Sequence, residues 1–383
     1  MVIPLSMPAL SPADAAAVLE VLQTPHLSLG PKLPEFERVV ADYVGCKYGV
    51  AVNSGTSALH LIVRALGIRE GDEAITTPFS FVASANCLLY ERARPVFVDI
   101  GPQTLNINFD LIESAITPRT RAILAVDVFG HPADWNRLRE IAQRHGLALI
   151  DDSCEALGAR YRLPNGQWAM AGSLGDAGAF AFYPNKQITT GEGGMVVTDR
   201  QDVARLCRSM RNQGRDEGAG WLQHARLGYN YRLSDINCAL GIAQMSRIDE
   251  ILAARRRVAS WYADLLSDVP EVEVPQAGPD VEISWFVYVV RLAEGFTRDQ
   301  RDRVLDGLCA RGIGCSNYFS PIHLQPFYRE MFGYREGDFP VTESVSSRTI
   351  ALPFFNRLTR EQVSYVAASL IEAVESVGSR TPG

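Results

Sequence analysis

The chain has 383 residues, of which 47% are apolar and 21% charged, a balance typical of a globular protein with a large buried core. Its formal net charge is −7, with acidic and basic residues mixed along the chain, so we expect neither nucleic acid nor an anionic membrane as a partner. No apolar run approaches the roughly 20 residues that cross a bilayer.

The N-terminus lacks a basic stretch followed by an apolar one, so no signal peptide is predicted. The seven cysteines are scattered and contain no CxxC pair, a pattern that favours free thiols in a cytoplasmic protein. Cysteine and histidine do not cluster at ligand spacing, so we predict no metal site.

The order of the predicted elements indicates an α/β fold. Helices are predicted at residues 12–23 and 34–43, and from residue 48 onward strands and helices alternate. The strands are continuously apolar and lie at residues 48–52, 73–77, 95–98, 121–126 and 147–150. The helices between them lie at residues 57–66, 81–90, 110–116 and 135–145. This pattern predicts a mostly parallel sheet covered on both faces, with ligands bound beyond the carboxyl ends of its strands.

The sequence changes character after a long helix that is predicted at residues 234–259. Segments 281–292, 301–311 and 360–377 then indicate a smaller α+β domain. We place the boundary near residue 250, which gives a large domain at residues 1–250 and a small domain at residues 251–383.

Lys186 lies between two predicted strands, residues 179–182 and 195–198, and beside a glycine-rich turn at residues 191–194. A lysine withheld from water favours its neutral amine, a nucleophile that forms Schiff bases with aldehydes such as pyridoxal phosphate. The alternative for this stretch alone is a loop lysine that is solvated and has no chemical role.

Three further segments place polar or aromatic side chains just after strands. Gly55, Thr56 and Ser57 open a helix after the first strand, where backbone amides favour a phosphate, although a plain helix cap is the commoner explanation. Asp151 and Asp152 end the strand at residues 147–150, where like charges favour a cationic partner for at least one of them.

Phe81 also follows a strand, where its ring is placed either to stack on a flat cofactor or to fill the core. The segment 228–235 combines polar and aromatic residues before the long helix, and its alternative interpretation is a capped helix entry. Each signal is modest, and their order along the chain is the more informative feature.

Together these motifs resemble those of the DegT/DnrJ/EryC1/StrS sugar aminotransferases, a family of fold-type I enzymes that use pyridoxal phosphate (PLP). The resemblance covers essentially the whole chain. It rests on the segments at residues 53–59, 79–84, 150–156, 185–194 and 228–235. It implies an aspartate aminotransferase-like fold, with a large α/β domain built on a mostly parallel sheet and a smaller C-terminal α+β domain.

The resemblance also implies roles for individual residues. Lys186 would form the Schiff base with PLP and move the proton during catalysis, Asp152 would hold the pyridine nitrogen, and Phe81 would stack on the ring. The other implied cofactor-binding residues are Gly55, Thr56 and Ser57 at the phosphate, Glu155 near the ring hydroxyl, and Asn230, which would reach the phosphate of the neighbouring subunit in a homodimer with shared active sites. On the substrate side the family resemblance points to Ser28, Arg232, Tyr318 and His323.

Two positions depart from the family pattern. Ala181 stands where the family often has a phosphate-binding serine, so one hydrogen bond is lost or comes from Thr189, Thr190 or water. Glu155 stands where the family often has glutamine or histidine, and its carboxylate would repel a phenolate unless it is protonated or salt-bridged. An acidic residue here resembles perosamine-synthase-like members, which act at sugar C4.

The expected reaction is ping-pong transfer of an amino group from L-glutamate to a nucleotide-linked keto-6-deoxysugar, with a 4-keto acceptor favoured over a 3-keto acceptor. The usual destination of such amino sugars in the family is a surface polysaccharide or a secondary metabolite. A cyclitol ketone is an alternative acceptor. A sugar dehydratase of this family would have histidine in place of Lys186, and a non-enzymatic sensor would have lost Lys186 or Asp152.

Overall fold

The computed structural model describes residues 2–218, 220 and 222–378. The strands within these residues are β1 (Tyr48–Val52), β2 (Glu73–Thr76), β3 (Arg94–Phe97), β4 (Thr120–Val126), β5 (Ala148–Asp152), β6 (Arg160–Arg162), β7 (Trp168–Met170), β8 (Ala177–Ala181), β9 (Gly194–Thr198), β10 (Val272–Glu273), β11 (Val281–Glu282), β12 (Tyr288–Leu292) and β13 (Thr349–Leu352). Every strand predicted in the first 200 residues is present, with one or both ends shifted by one or two residues in all of them except β1.

The main sheet of the described chain has seven strands in the order β1-β9-β8-β5-β4-β2-β3. Strands β8, β5, β4, β2 and β3 are parallel neighbours, whereas β9 runs antiparallel to both β1 and β8. The predicted mostly parallel sheet is therefore confirmed. Two three-stranded sheets accompany it, one of order β10-β12-β13 and one of order β11-β6-β7.

The α-helices of the described residues are α1 (Pro12–Leu22), α2 (Lys32–Val44), α3 (Gly55–Ala65), α4 (Ala83–Leu89), α5 (Ile112–Ala115), α6 (Trp135–His145), α7 (Gln201–Arg211), α8 (Asp235–Met245), α9 (Ile248–Leu266), α10 (Arg298–Ala310), α11 (Pro326–Phe332), α12 (Pro340–Arg348) and α13 (Arg360–Gly378). Short 3-10 turns lie at Phe109–Leu111, Val128–Gly130 and Ile322–Leu324. No helix in the described part of the chain is both long and apolar enough to cross a membrane.

The single long helix predicted at residues 234–259 is wrong, because the chain forms two helices, α8 and α9. Arg247 leaves the helical region between them, with φ −120° and ψ 18°. Its guanidinium donates a hydrogen bond of 2.8 Å to Asp14, far away in the sequence. The hydroxyl of Ser246 also donates to the carbonyl of Ala243, which competes with regular helix continuation.

Helix α9 passes from one hydrophobic core to another. Its first turns, including Leu252, pack with Phe182 and the main sheet. Its later turns, including Val258, pack with Tyr288 and the sheet β10-β12-β13. This change of core lies close to the predicted boundary near residue 250, which itself remains a prediction.

Candidate active site

A cavity of about 460 Å³ lies beyond the carboxyl ends of β4, β5 and β8, which is the edge where the sequence predicts ligand binding. The strand-end residues Val126, Asp152 and Ala181 all line it. Seven of the twelve candidate site residues line this cavity: Gly55, Thr56, Phe81, Asp152, Glu155, Lys186 and Tyr318. The fold thus gathers residues from distant parts of the chain around one space.

Lys186 places its ammonium group inside the cavity. Its Nζ lies 3.6 Å from Oε1 of Glu155 and 4.1 Å from the centre of the Phe286 ring. The lysine side chain is 13% exposed, so it is neither fully buried nor free in solvent. Of the three lysines in the sequence, Lys32 and Lys47 do not line the cavity. The solvated loop lysine considered for this position is therefore not what the structure shows.

Asp152 ends β5 and turns its carboxylate toward the cavity. Its Oδ2 accepts a hydrogen bond of 2.7 Å from the hydroxyl of Ser84, and its Oδ1 accepts one of 3.2 Å from the backbone N–H of Cys154. Ser84 in turn contacts Ser80, with 2.8 Å between the two hydroxyl oxygens. A carboxylate has about four acceptor positions, so these contacts fix its orientation and leave room for a further donor from the cavity.

Asp151 points to the opposite side of β5, because successive side chains of a strand alternate. It is fully buried and accepts hydrogen bonds from the hydroxyl of Ser153 at 2.6 Å and from the backbone N–H of Gly172 at 2.8 Å. Burial raises the pKa of its carboxyl group well above the usual range, and the neighbouring Asp127 adds to the effect. Asp151 therefore has a structural position, while Asp152 faces the site.

Glu155 is almost completely buried at the wall of the cavity. Its Oε2 accepts a hydrogen bond of 2.9 Å from the backbone N–H of Phe129, and its Oε1 faces Lys186. Burial raises the pKa of Glu155, while the nearby Lys186 ammonium acts in the opposite direction. The salt-bridge partner considered for this carboxylate is therefore Lys186.

The N-terminus of α3 opens onto the same cavity. Its first amides have no partner within the helix and are available to a ligand. The N-cap Ser54 accepts a hydrogen bond of 3.1 Å from the N–H of Ser57, and the Ser57 hydroxyl donates one of 2.7 Å to Asn53. Ser57 is buried and lies outside the cavity lining, so its hydroxyl serves the helix cap.

Neither threonine suggested as a substitute for the missing serine at position 181 reaches the cavity. The hydroxyl of Thr189 donates to the carbonyl of Phe182 at 3.1 Å, and that of Thr190 donates to the carbonyl of Glu192 at 2.8 Å. Both threonines are buried, and neither lines the cavity. Of the alternatives considered for the missing bond, a contact from Thr189 or Thr190 is therefore not available in this arrangement of side chains.

Two aromatic residues singled out from the sequence lie at the cavity wall. Phe81 precedes α4 and is 61% exposed, so it is not the core phenylalanine of the alternative interpretation. Tyr318 is half-buried and stacks on Phe319, with 5.2 Å between the ring centres. Both rings are placed to contact a ligand in the cavity.

Four other residues singled out from the sequence lie away from this cavity. Ser28 and Asn230 are exposed, and Arg232 donates a hydrogen bond of 3.1 Å to the side chain of Asn212. His323 is fully buried, with its Nε2 3.0 Å from Glu343, and burial lowers its pKa. The structure corrects the assignment of His323 to substrate binding, because this side chain has no exposed surface with which to contact a ligand.

The site also includes Ser84, Phe286 and Arg255, of which Phe286 and Arg255 carry no local sequence signal. Phe286 and Arg255 approach Lys186 from segments that are distant in the chain. Ser84 falls within the motif at residues 79–84, and its position one turn after Phe81 is the sequence signal that places it at the site. Among the residues that are described, no group of three or more His, Cys, Asp or Glu side chains is placed to hold a metal ion.

Comparisons with known proteins identify the family of the chain. Residues 8–371 match the model of the DegT/DnrJ/EryC1/StrS aminotransferase family. The chain is 39% identical over 370 residues to GDP-perosamine synthase from Caulobacter vibrioides, which covers 96% of this chain and 97% of that protein.

Solved structures give the same result. The fold is similar to Helicobacter pylori PseC, an aminotransferase involved in the biosynthesis of pseudoaminic acid, with a TM-score of 0.92, 30% identity, and coverage of 98% of this chain and 100% of that one. It is also similar to Streptococcus pneumoniae Spr1654 in its PMP-form, with a TM-score of 0.93, 26% identity and the same coverage. Spr1654 in its PLP-form matches with a TM-score of 0.93 as well.

Proposed function

The chain belongs to the DegT/DnrJ/EryC1/StrS aminotransferase family, and on this premise we propose that it moves an amino group from L-glutamate to a nucleotide-linked keto-6-deoxysugar. It is a PLP-dependent sugar aminotransferase with the fold-type I architecture. The observation that carries the proposed assignment of the site is the position of Lys186, whose amine shares the cavity with the carboxylates of Asp152 and Glu155. The similarity to GDP-perosamine synthase supports a nucleotide-linked acceptor.

The residues of the cavity fit PLP. The amine of Lys186 is placed for covalent attachment, Asp152 for the pyridine nitrogen, and the first amides of α3 at Gly55 and Thr56 for the phosphate. Bound PLP supplies a carbonyl that takes up the amino group and a protonated ring that withdraws electrons from the reacting carbon. Position 55 has to be glycine, since a Cβ there would lie 2.7 Å from Cβ of Ala181 and 2.9 Å from Sγ of Cys154.

Each residue then has a defined task. Lys186 would move a proton from the carbon that gives up the amino group to the carbon that receives it, in both halves of a ping-pong cycle. Asp152 would keep a proton on the ring nitrogen, and Phe81 would cover one face of the ring. Glu155 holds the released Lys186 ammonium within the cavity, because its Oε1 already lies 3.6 Å from Nζ.

A homodimer with shared active sites is supported by Ser28 and Asn230, which are exposed, and by Arg232, which is only partly exposed. None of the three lines the cavity of its own chain. In this proposal the partner subunit's Asn230 reaches the phosphate, and the other two contribute to the acceptor side. A cytoplasmic location is part of the same proposal and rests on the sequence.

The acceptor is tested by separating the two half-reactions. The enzyme is first loaded with the amino group from L-glutamate, freed of excess donor, and then offered a 4-keto sugar nucleotide, its 3-keto isomer or a cyclitol ketone. We expect mass spectra to show an amino sugar, formed from the 4-keto compound in preference to the other two acceptors. Product from the cyclitol ketone alone would replace the nucleotide sugar in the proposal. Water loss from the sugar without amine transfer would indicate the dehydratase alternative, against which Lys186 argues.

A further inference from the structure

Arg255 is an unusual arginine because it is only 2% exposed and has no carboxylate as a partner within the described chain. Burial alone lowers its pKa to about 10. A buried charge is costly unless its donors are satisfied. We therefore expect the N–H groups of Arg255 to donate hydrogen bonds to other groups of the protein and to hold those groups in place.

The guanidinium of Arg255 donates only to main-chain carbonyl groups near the site. Nη2 donates to the carbonyl of Lys186 at 2.8 Å, while Nη1 donates to those of Phe286 at 3.1 Å and Trp285 at 3.3 Å. Its Nε has no partner among the described residues. The Arg255 guanidinium thus links the main chain of Lys186 to the main chain of Phe286, whose ring lies against the Lys186 ammonium.

Arg255 also lies where the two hydrophobic cores meet. It follows Leu252, which packs in the core of the main sheet, and precedes Val258, which packs in the core of the smaller sheet. Residues 285–286 lead directly into β12 of that smaller sheet. The three carbonyl groups are therefore fixed by a single side chain at the junction of the two packed units.

The backbone of Lys186 is held from both sides. Its N–H donates to the carbonyl of Tyr183 at 2.9 Å, which closes the turn before it, and its carbonyl accepts from Arg255. The next residue, Gln187, donates to the carbonyl of Glu155 at 2.7 Å. The Arg255 contact is the one of these that also reaches Phe286.

We infer that Arg255 is a positioning residue that fixes the main chain of Lys186 and the ring of Phe286, so that the amine is presented to PLP in one orientation. This inference rests on the proposed function, since it assumes that Lys186 is the lysine that binds PLP. Arg255 does not line the cavity, so in this inference it acts through Lys186.

The test measures covalent attachment rather than turnover. The full-length protein is freed of PLP and mixed with PLP again, and the rate at which the absorbance of attached PLP appears is recorded. Borohydride then makes the link permanent, and mass spectrometry of the peptides shows which of the three lysines carries it. We expect R255M to slow attachment at Lys186 by about ten- to a hundredfold, because a misplaced reacting group loses that much.

Arg301 provides a matched control. It is 3% exposed and also donates to two main-chain carbonyl groups, those of Ser346 at 3.0 Å and Thr349 at 3.1 Å, far from the cavity lining. R301M is expected to lower the melting temperature and leave the attachment rate of the folded protein unchanged. R255K, which keeps a buried donor, is expected to restore part of the rate that R255M loses.

Attachment by R255M at the wild-type rate would overturn the inference, and so would equal slowing in R301M. If R255M does not fold, R255K decides: it should be severalfold slower than wild type, and an unchanged rate would overturn the inference. A different failure is recognisable in the wild type itself. Attachment at Lys32 or Lys47 there would refute the proposed role of Lys186, and the role of Arg255 would fall with it.

Discussion

Gly55 and Ala181 lie next to each other in the cavity lining, so closely that position 55 has no room for a side chain. A Cβ at position 55 would lie 2.7 Å from Cβ of Ala181. Gly55 begins α3, and Ala181 ends β8, so this contact sets how near the helix N-terminus comes to the strand end. The proposed phosphate site depends on that approach.

The contact predicts that Gly55→Ala weakens PLP binding. The added methyl group must push α3 or β8 aside, which costs about 1–3 kcal/mol in packed protein and moves the amides that would hold the phosphate. We expect at least about a tenfold rise in the Kd of PLP, measured by absorbance titration. Gly278→Ala is the matched control, because no atom lies within 4 Å of the Cβ that it adds. Equal PLP affinity in the two variants would argue against a phosphate at α3.

The same wall predicts a gain of affinity. Ala181→Ser places a hydroxyl at the cavity, where position 181 already lines the space, and a hydrogen bond to a charged group contributes about 1.5–3 kcal/mol. We expect a roughly tenfold lower Kd for PLP and an unchanged melting temperature of the PLP-free protein. If the Kd does not fall while the protein stays folded, the phosphate does not lie next to residue 181.

Lys186→Ala tests the amine directly. The variant is expected to fold and to bind PLP without covalent attachment, so that borohydride fixes no PLP at residue 186 and amino transfer is lost. Lys47→Ala is the control, because Lys47 lies outside the cavity lining. Amino transfer at the wild-type rate in Lys186→Ala would remove Lys186 from the mechanism.

A buried pair of carboxyl groups behind the site predicts a pH dependence of stability. Asp127 and Asp151 both contact the hydroxyl of Ser153, at 2.7 Å and 2.6 Å, although that hydroxyl has one proton to donate. Burial raises the pKa of Asp127 from 3.8 to about 6. Between these values the folded protein keeps a proton that the unfolded chain has released, so stability falls as the pH rises through this window.

Asp127→Asn removes this titration and lets the amide donate to Ser153. We expect the free energy of unfolding of the variant, relative to that of wild type, to rise by on the order of 2 kcal/mol from pH 4 to pH 8 in urea unfolding experiments. Trp135→Phe, which removes one donor to Asp127 and keeps its carboxyl group, serves as a comparison. The same pH profile in Asp127→Asn and wild type would show that Asp127 does not hold the proton.

Local sequence patterns predicted much of the fold. Strand Tyr48–Val52 and helix Trp135–His145 were predicted with their observed ends, because a short apolar run and a capped amphipathic pattern are local signals. The break between α8 and α9 was missed, since it depends on the contact of Arg247 with Asp14. No pattern within a window of the chain reports such a contact.

The cavity follows the same division. Gly55 and Asp152 were predicted because they lie at the carboxyl ends of strands, which come together at one edge of a parallel sheet, and Lys186 because it lies between two strands beside a glycine-rich turn. Phe286 and Arg255 were not, because they reach Lys186 only through the packing of the smaller sheet on the main one. His323 was assigned wrongly because it is a polar residue in a segment that resembles the family, yet its side chain is buried in the core.

Amino transfer through PLP at Lys186 is tested most directly by the near-ultraviolet and visible absorbance of the purified protein with PLP, before and after L-glutamate is added. We expect a band of Lys186-attached PLP that is replaced by the band of the amino form as glutamate delivers its nitrogen. A band that does not change with glutamate would support PLP binding and exclude glutamate as the donor. No band after incubation with PLP would refute the proposed aminotransferase function.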